Sequence, residues 1–506
     1  MSTTFIGSID QGTTSSRFLI FDEHGDLICS HQMEFPQHYP RPGWVEHDPS
    51  DILKSVQECV KETLKKFNGL GYSFSDIKAI GITNQRETTL AWDKTTGKPL
   101  YNAIVWPDVR THDLVHRLNK ISSLGSKVLN DICGLPITTY FSALKLKWML
   151  ENVPEVKEAH DNDNLLFGTV DTWLIWNLSG GVDGGLHVTD VTNASRTMFM
   201  NIKTLEWSKE SLDFFQVKSS CLPKICSSSE IYGTIKTIKE LEGIPIAGVL
   251  GDQQAALVGQ KCFTRGDAKS TYGTGCFMLF NTGKDPVISE SGLLTTVGYK
   301  FGNQDAVYAL EGSIAVAGSA IKWVRDNLKI INETSEINTL AASVENTGGV
   351  YFVTAFSGLF APYWRDDARG CIVGITQYTN KCHIARATLE AACFQAKAIL
   401  NAMNKDSGHP LTSLKVDGGM TNSDICMQIQ SDILNIEVNR PAMRETTALG
   451  AAIAAGFAVK IWNSLDDLKN VNTKGHTIFS PKITNEEAQI KFEQWEKAVQ
   501  RSLDWA

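Results

Sequence analysis

The chain lacks disulfide and metal-binding motifs. Its eleven cysteines include no CxxC pair, and an odd number without regular spacing indicates reduced thiols in a cytoplasmic protein. The glycosylation sequons at Asn177, Asn193 and Asn332 then carry no meaning. His112 and His116 lie four residues apart, but no third ligand accompanies them, so we expect an exposed helix face rather than a metal site.

Long apolar runs and an excess of positive charge are also absent. The longest run of small apolar residues, 448–459, is too short to span a bilayer and predicts a close-packed helix. The start MSTTFIGSIDQ has no basic segment before an apolar one, so we expect no secretory signal. The net charge of −8 disfavours a nucleic-acid partner. A length of 506 residues with 42% hydrophobic content predicts a globular protein with two large domains or several small ones.

Two segments about half a chain apart share one pattern. SIDQGTTSSRFLIFDEHGDLI and KSTYGTGCFMLFNTGKDPVI each predict a strand, a tight turn, a second strand and a glycine-containing hairpin tip. The turns are Gly12-Thr13 and Gly273-Thr274. This repeat predicts two similar lobes that face each other across a cleft.

The segments around these hairpins alternate between strand and helix patterns, which is typical of an α/β protein. A small-residue helix start is predicted from Leu310, and a terminal helix over 483–506 should pack Ile490, Phe492, Trp495 and Val499. Other predictions are a helix over 51–67, strand, loop and strand over 79–93, and strand, glycine turn and helix over 415–434.

The first turn contains groups that suit phosphate chemistry. Backbone amides and hydroxyls in a tight turn bind anionic oxygen, and Arg17 adds a charged donor. Asp10 would repel a phosphate directly, so its place at the strand end makes sense if a hydrated Mg²⁺ lies between them. The turn is not a GxxxxGK[ST] phosphate loop, and the alternative is an ordinary hairpin whose hydroxyls face solvent.

Two further glycine turns could complete a nucleotide site. TYGTG would hold another part of the nucleotide from the facing lobe, and VDGGMTNS opens a helix whose amides favour anions or a hydroxyl. Each alone is as compatible with a structural turn, but three in this order are much less expected by accident.

The sequence resembles the FGGY carbohydrate kinases of the actin-like ATPase superfamily, from Ser8 to about Trp462. YFSALKLKWMLEN fits the first signature of the family, and GCIVGITQYTNKCHIARATLEA fits the second. Five further blocks resemble the members that act on glycerol: SIDQGTTSSR, GITNQRET, TDVTNASRTMF, GDQQAALVGQ and TYGTGCFML.

The resemblance implies two ribonuclease-H-like domains that flank a catalytic cleft. Residues 1–258 would carry the polyol site and the phosphate hairpin, and residues 259–506 the nucleotide site. The implied reaction transfers the γ-phosphate of ATP, with Mg²⁺, to a primary hydroxyl of glycerol and gives sn-glycerol 3-phosphate. A cytoplasmic homodimer or homotetramer without a transmembrane segment is expected.

The resemblance also assigns residues. The implied polyol-binding residues are Arg86, Glu87, Trp106, Tyr140, Asp252, Gln253 and Phe277. The implied nucleotide-binding residues are Thr13, Thr14, Ser15, Arg17, Thr274, Gly318, Gly419 and Ser423. Asp10 and Asp252 are implied metal-site residues, and Asp252 is the expected general base.

The chemistry of these residues agrees with a triol substrate. Arg86 can donate to hydroxyls, Glu87 and Asp252 can accept from them, and aromatic rings can cover the carbons. Without the family blocks, Arg86–Glu87 could be a surface ion pair, and Asp252 could be the N-cap of the helix that follows.

Some positions depart from the family. Lys322 stands where some members have glutamine, and the turn continues MTNSD rather than with an Asn-Asn pair, which leaves Asn422 and Ser423 as alternatives. The segment KELEGIPIAG lacks the Gly-Gly-Thr-Arg loop of members inhibited by fructose 1,6-bisphosphate, so we expect no such regulation.

Two other functions compete. The same fold could act on another polyol or ketose, and Arg86, Glu87 and Trp106 favour the smallest polyol. A non-catalytic ATP-dependent binding protein could share the nucleotide cleft. Such a protein should have lost Asp10 or Asp252, and both are present.

Overall fold

The structure is a computed structural model that describes residues 4–506; the first three residues of the stretch searched for a secretory signal lie outside it. The strands of the first half are β1 (Phe5–Gln11), β2 (Ser15–Asp22), β3 (Leu27–Glu34), β4 (Glu46–His47), β5 (Ile77–Asn84), β6 (Leu90–Asp93), β7 (Ala103–Ile104), β8 (Leu165–Gly168), β9 (Val188–Asp190), β10 (Met200–Asn201), β11 (Glu206–Trp207), β12 (Lys224–Cys226), β13 (Ser229–Thr234) and β14 (Pro245–Gly251). Its α-helices are α1 (Pro49–Gly69), α2 (His112–Asn119), α3 (Asn130–Cys133), α4 (Ser142–Asn152), α5 (Pro154–Asp161), α6 (Val170–Leu178), α7 (Val191–Ala194), α8 (Lys209–Phe215) and α9 (Asp252–Gly259).

The second half follows with fewer and longer elements. Its strands are β15 (Ala268–Tyr272), β16 (Cys276–Gly283), β17 (Leu294–Tyr299), β18 (Val307–Ile314), β19 (Tyr351–Val353), β20 (Cys371–Val373), β21 (Ser413–Asp417), β22 (Glu437–Arg440) and β23 (Thr477–Phe479). Its α-helices are α10 (Gly318–Trp323), α11 (Glu336–Ala342), α12 (Lys381–Ser407), α13 (Asp424–Leu434), α14 (Thr446–Ala458) and α15 (Asn485–Arg501).

Each half contains one large mixed sheet, and the two sheets match strand for strand. The first has the order β3-β2-β1-β5-β14-β13, and the second has the order β18-β16-β15-β21-β22-β23 with β17 beyond β18. In both, two antiparallel pairings are followed by two parallel ones and a final antiparallel one. The predicted repeat and the two-domain α/β fold are confirmed.

The two predicted Gly-Thr hairpins are also confirmed. Asp10 lies opposite Arg17 in the β1–β2 pair, and the Gly12 amide donates to the Ser15 carbonyl at 2.9 Å to close the turn. In the second hairpin the Gly273 amide donates to the Gly275 carbonyl at 2.9 Å. A Cβ at Gly275 would lie 2.5 Å from the Ile314 carbonyl oxygen, so this turn tolerates only glycine without movement.

Two details of the sequence analysis were wrong. The stretch from Leu310 is not a helix start: β18 continues to Ile314, because this segment pairs with β16 in the sheet, and α10 begins only at Gly318. The terminal helix α15 buries Phe492, Trp495 and Val499 as predicted, but Ile490 is 54% exposed because it lies on the outer face.

Helices α9 and α14 cross in direct backbone contact. A Cβ at Gly450 of α14 would lie 1.8 Å from the Ala255 carbonyl oxygen of α9, and one at Gly259 would lie 1.9 Å from the Thr446 carbonyl oxygen. The run 448–459 is therefore the close-packed helix that its composition predicts, and it lies against β1, β5 and β14. Among residues 4–506, no helix is both long and apolar enough to cross a membrane.

The cysteines and the histidine pair behave as expected. All eleven cysteines are free thiols. His112 and His116 are exposed on α2, with their Nε2 atoms 3.0 Å apart.

Candidate active site

The proposed site lies where three neighbouring parallel strands end. Asp10 is near the end of β1, Arg86 and Glu87 follow β5, and Asp252 follows β14. Because the carboxyl ends of adjacent parallel strands meet at one sheet edge, Asp10 and Asp252, 242 positions apart in the chain, come to the same edge.

Arg86 is the centre of a buried ion-pair network. Its Nη1 and Nη2 donate to the two carboxylate oxygens of Glu311 at 2.6 and 2.7 Å, and its Nε lies 3.2 Å from Asp252 Oδ1. The alternative of a surface ion pair with Glu87 was wrong, because both side chains are buried and the Arg86 Nε to Glu87 Oε1 distance is 4.0 Å.

Glu87 has a strained backbone and a fixed side chain. Its φ of 60° is in the left-handed region, which a non-glycine residue adopts at a cost of about 1–3 kcal/mol. Its Oε1 accepts a hydrogen bond from Arg196 Nε at 2.6 Å. Burial raises the pKa of Glu87 against the opposing charges of Arg196 and Arg86.

Three aromatic side chains lie beside this network of buried charges. The ring of Trp106 lies edge-on to Tyr140 and Phe277, with centroid distances of 5.7 and 6.0 Å. Trp106 Nε1 donates to Thr13 Oγ1 at 2.9 Å, which connects this aromatic wall to the first hairpin. The Tyr140 hydroxyl makes no hydrogen bond with residues 4–506, so it is available to a ligand, and Lys145 donates to the Tyr140 carbonyl.

Gln253 is held by a lysine from the second half. Lys269 Nζ donates to Gln253 Oε1 at 2.5 Å. Burial lowers the pKa of this lysine, while Asp417, Asp252 and Glu311 act in the opposite direction. The side-chain Nε2 of Gln253 gives no hydrogen bond to any other part of the described chain.

Asp252 has one free carboxylate oxygen. Its Oδ1 accepts a hydrogen bond from the backbone amide of Gln253 at 2.7 Å and faces Arg86, whereas Oδ2 accepts no hydrogen bond from the described residues. Burial raises the pKa of Asp252 and outweighs Arg86 and Lys269, and Asp10 raises the pKa further. The N-cap alternative was wrong, because the cap of α9 is Gly251 and Asp252 is the first helical residue.

Asp10 is buried and ion-paired. Arg17 Nη2 donates to Asp10 Oδ2 at 2.5 Å, and Arg17 Nη1 donates to Glu445 Oε2 at the same distance. Burial raises the pKa of Asp10 against the opposing charge of Arg17. Asp10 disfavours the ionised form of Asp252, so a hard divalent cation between the two carboxylates would offset this repulsion.

The predicted nucleotide residues of the second half form two adjoining turns. The Gly318 amide donates to the Gly273 carbonyl at 3.1 Å, so the start of α10 is attached to the Thr274 hairpin. Next to them lies the loop that contains Gly419, since a Cβ at Gly418 would be 2.4 Å from the Tyr272 carbonyl oxygen. Gly419 itself is exposed and has open space around it.

Ser423, Asn422 and Lys322 differ in availability. The Ser423 hydroxyl donates to Asn338 Oδ1 at 2.5 Å and accepts the Cys426 amide as the N-cap of α13. Asn422 is exposed, and its side chain makes no hydrogen bond with residues 4–506. Lys322 is also exposed, on α10.

Sequence reasoning missed three buried charges of the site: Arg196, Lys269 and Glu311. Arg196 contacts the Tyr140 ring, with the guanidinium carbon 5.6 Å from its centroid. Lys269 and Glu311 are charged residues inside the buried strands β15 and β18, and a charge at such a position is the signal that could have identified them.

Comparison with known proteins agrees with this geometry. The family model for the FGGY carbohydrate kinase N-terminal domain matches residues 5–259, and the model for the C-terminal domain matches residues 268–459. The chain is 56% identical to the glycerol kinase of Brucella anthropi over 99% of both chains. It is 54% identical to the glycerol kinase of Clavibacter michiganensis over 100% of this chain and 99% of that one.

A solved structure is similar throughout. The crystal structure of Plasmodium falciparum glycerol kinase with ADP has a TM-score of 0.91 and 42% identity, and covers 99% of this chain and 98% of that one. The two duplicated sheets, the carboxylates at the ends of the central strands and this similarity define a two-domain α/β kinase of the actin-like fold. The chain belongs to the FGGY family of carbohydrate kinases, and it is an enzyme.

Proposed function

We propose that the protein phosphorylates glycerol, transferring the γ-phosphate of MgATP in line to a terminal hydroxyl to give sn-glycerol 3-phosphate. The observation that carries the proposal is a cluster of polar side chains beside the Trp106–Phe277 wall, and the cluster consists of Arg86, Asp252, Gln253 and Tyr140. The similarity to glycerol kinases over nearly the whole chain supports the same substrate.

The pocket offers a partner for each part of a three-carbon triol. Arg86 donates, Glu87 and Asp252 accept, and the Tyr140 hydroxyl can do both. Trp106 and Phe277 cover the carbon edge. A larger sugar would leave hydroxyls against these aromatic faces, and a smaller analogue would leave a buried polar group unpaired, which lowers its reactivity strongly.

Asp252 is proposed as the general base. Its Oδ2 is unpaired among the described residues, so it can accept the proton of the attacking hydroxyl. Meanwhile Oδ1 stays fixed by Arg86 and by the backbone amide of Gln253. A raised pKa brings a carboxylate closer to the pH at which it works, which favours proton transfer.

Asp10 and Asp252 are proposed to hold hydrated Mg²⁺. The charge of Asp10 raises the pKa of Asp252, and this repulsion between two carboxylates is the observation that fits a divalent cation at this position. Mg²⁺ would supply charge neutralisation and alignment of the phosphates. Thr13, Thr14, Ser15 and Arg17 are proposed to bind those phosphates through the turn amides and hydroxyls.

The rest of the nucleotide is proposed to lie on Thr274, Gly318 and Gly419. Of the two alternatives for the adjoining position, Asn422 is a better candidate than Ser423, because the Ser423 hydroxyl already donates to Asn338 and caps α13. Lys322 is free to approach the base.

We also propose a division at residues 258 and 259, a cytoplasmic location and a homodimer or homotetramer. The free thiols of all eleven cysteines support a reducing compartment. Light scattering on the purified protein would give the oligomeric state.

The experiment measures ADP release with MgATP on glycerol, dihydroxyacetone, erythritol, xylitol, xylulose, ribulose and gluconate, for the wild type and Asp252→Asn. We expect strong turnover on glycerol and a loss of about 100- to 10 000-fold in kcat in the variant. Asp213→Asn, at an exposed carboxylate of α8, is the control and should be fully active.

Each other outcome would reject a defined part of the proposal. Turnover on a larger sugar alone would reject the substrate but keep the kinase. Normal turnover by Asp252→Asn would reject the general base. ATP binding without turnover on any compound would favour the binding-protein alternative.

A further inference from the structure

Lys269 is a buried lysine that reaches the proposed polyol site from the opposite half of the molecule. It lies on β15, its side chain is 0% exposed, and its neighbours on the strand are Ala268 and Ser270. A buried ammonium requires several kcal/mol of compensating interaction, so its retention in a strand calls for hydrogen bonds and nearby negative charge.

All three donors of this ammonium have acceptors. Nζ donates to Gln253 Oε1 at 2.5 Å, to Thr271 Oγ1 at 3.0 Å and to the Phe277 carbonyl at 3.5 Å. Two of these partners, Gln253 and Phe277, are proposed substrate-binding residues. Lys269 therefore contacts proposed substrate-binding residues of both halves of the chain.

The contact between Lys269 and Gln253 fixes which way the side-chain amide of Gln253 faces. An ammonium can only donate, so the group that Lys269 meets must be the carbonyl oxygen and not the amide nitrogen. The side-chain Nε2 of Gln253 then faces away from Lys269, and both of its hydrogens remain available to a ligand. A glutamine without this lysine could present either atom.

We propose that Lys269 is a positioning residue that locks Gln253 as a hydrogen-bond donor to a substrate hydroxyl oxygen and so sets part of the polyol specificity. The inference rests on the proposed function, because it takes the polyol to be the ligand of Gln253. It assigns Lys269 no contact with the substrate and no step in phosphoryl transfer.

The prediction is a change in glycerol affinity that depends on Gln253. Lys269→Met removes the donor with little change in volume, Lys269→Arg keeps a donor, and Gln253→Ala removes the acceptor. Lys397→Met is the matched control, because Lys397 is also buried in the second half but donates to the Leu434 carbonyl on α13. The thermal midpoint of each variant checks that it is folded.

We expect Lys269→Met to raise the glycerol KM by about tenfold with kcat within about threefold, which corresponds to one lost hydrogen bond. In the Gln253→Ala background the same substitution should change KM by less than about twofold, since coupled residues are not additive. Lys269→Arg should restore most of the affinity, and Lys397→Met should leave KM unchanged.

Three results would overturn the inference. One is an equal rise in KM with and without Gln253, which would make the effect structural. Another is a fall in kcat at unchanged KM, which would place Lys269 on the phosphates. The third is no effect at all.

If Lys269→Met does not fold, the Gln253→Glu variant is the deciding test. The carboxylate introduced at position 253 should pair with Lys269, so this variant should fold and should have a raised glycerol KM. An unchanged KM would reject the positioning role. Absence of glycerol turnover in the wild type would instead reject the proposed function itself.

Discussion

At the scale of single residues, Glu311 has the most demanding environment in the site. It is 0% exposed, binds Arg86 with both carboxylate oxygens and lies 3.3 Å from Arg196 Nη2. Burial alone would raise the pKa of Glu311, but Arg196 and Arg86 outweigh it and lower the pKa to about 2. Two arginines of the first half thus depend on one carboxylate of the second.

Glu311→Gln should destabilise the protein strongly. Removing the carboxylate leaves two buried guanidinium groups without their shared partner, which costs about 3–5 kcal/mol in comparable buried pairs. Urea unfolding at pH 7 measures the loss. Because the folded pKa is lowered, the contribution of Glu311 is present above the ordinary pKa of about 4.3 and is lost as pH falls through about 2. The variant should therefore show a shallower loss of stability between these pH values.

The control for this prediction is Glu390→Gln. Glu390 is also buried in the second half but pairs with a single partly buried arginine, Arg386, at 3.2 Å. Burial raises the pKa of Glu390, so the neutral amide should be tolerated with a change below about 1 kcal/mol. Equal destabilisation by the two substitutions would contradict the special role of Glu311.

At the scale of elements, the contact of α9 with α14 fixes the position of the proposed base. Asp252 is the first residue of α9, and Ala255 is one turn further along. The carbonyl of Ala255 faces Gly450 so closely that no side chain fits between the helices. The place of Asp252 in the cleft is thus set by a glycine almost 200 residues away.

Gly450→Ala should therefore lower activity from outside the site. The added methyl must push α9 outward, with an overpacking cost of about 1–3 kcal/mol, and a displacement of Asp252 by about 1 Å can cost about 100-fold in rate. Steady-state kinetics and the thermal midpoint are the measurements. Gly69→Ala is the control, because it ends α1 and a Cβ there meets nothing within 4 Å. Full activity in Gly450→Ala would show that α9 can shift without consequence.

The same scale separates what the sequence predicts from what it does not. The two hairpins were predictable because each has strand residues on both sides of a Gly-Thr turn, and both were found. The segment after Leu310 was mistaken for a helix because glycine, serine and alanine there favour close packing in either structure. Pairing with β16 decided for a strand.

Pairings over long distances in the chain could not be predicted. The family resemblance assigns Arg86, Asp252, Trp106 and Tyr140 to one site, and in the structure Arg86 lies beside Asp252 and Trp106 beside Tyr140. The contact of Arg86 with Glu311 joins residues 225 positions apart, and no local pattern encodes it. The partners of a buried charge are fixed by the tertiary fold.

At the scale of the whole molecule, the two halves share one of their cores. Ile6, Ala79 and Leu250 of the first sheet pack in the same cluster as Leu449 and Ile453 of α14. Hydrogen bonds cross at the same place: Ser8 Oγ donates to the Ala448 carbonyl at 2.8 Å, and Ser229 Oγ donates to the Ala454 carbonyl at 2.7 Å. The second half therefore supplies a layer that the first sheet lacks.

This shared core predicts that the first half does not fold alone. Residues 1–258 without α14 would expose one face of the central strands β1, β5 and β14, and an uncovered apolar sheet face is an aggregation site. We expect this fragment to bind a hydrophobic dye and to show no cooperative transition.

The intact chain should unfold in one calorimetric transition, since neither half keeps its core when the other opens. Joining residues 440–480 to the fragment through a flexible linker should restore cooperative unfolding, because it returns α14 to the sheet. The same linker followed by 381–408, which contains α12, should not restore it.

A fragment 1–258 that unfolds cooperatively on its own would mean that the division at 258 and 259 separates independent domains. Closure of the cleft would then be a movement between two self-sufficient bodies. If the fragment needs α14, the helix that holds Asp252 in place is also the one that makes the halves fold together, and catalysis and stability depend on the same crossing.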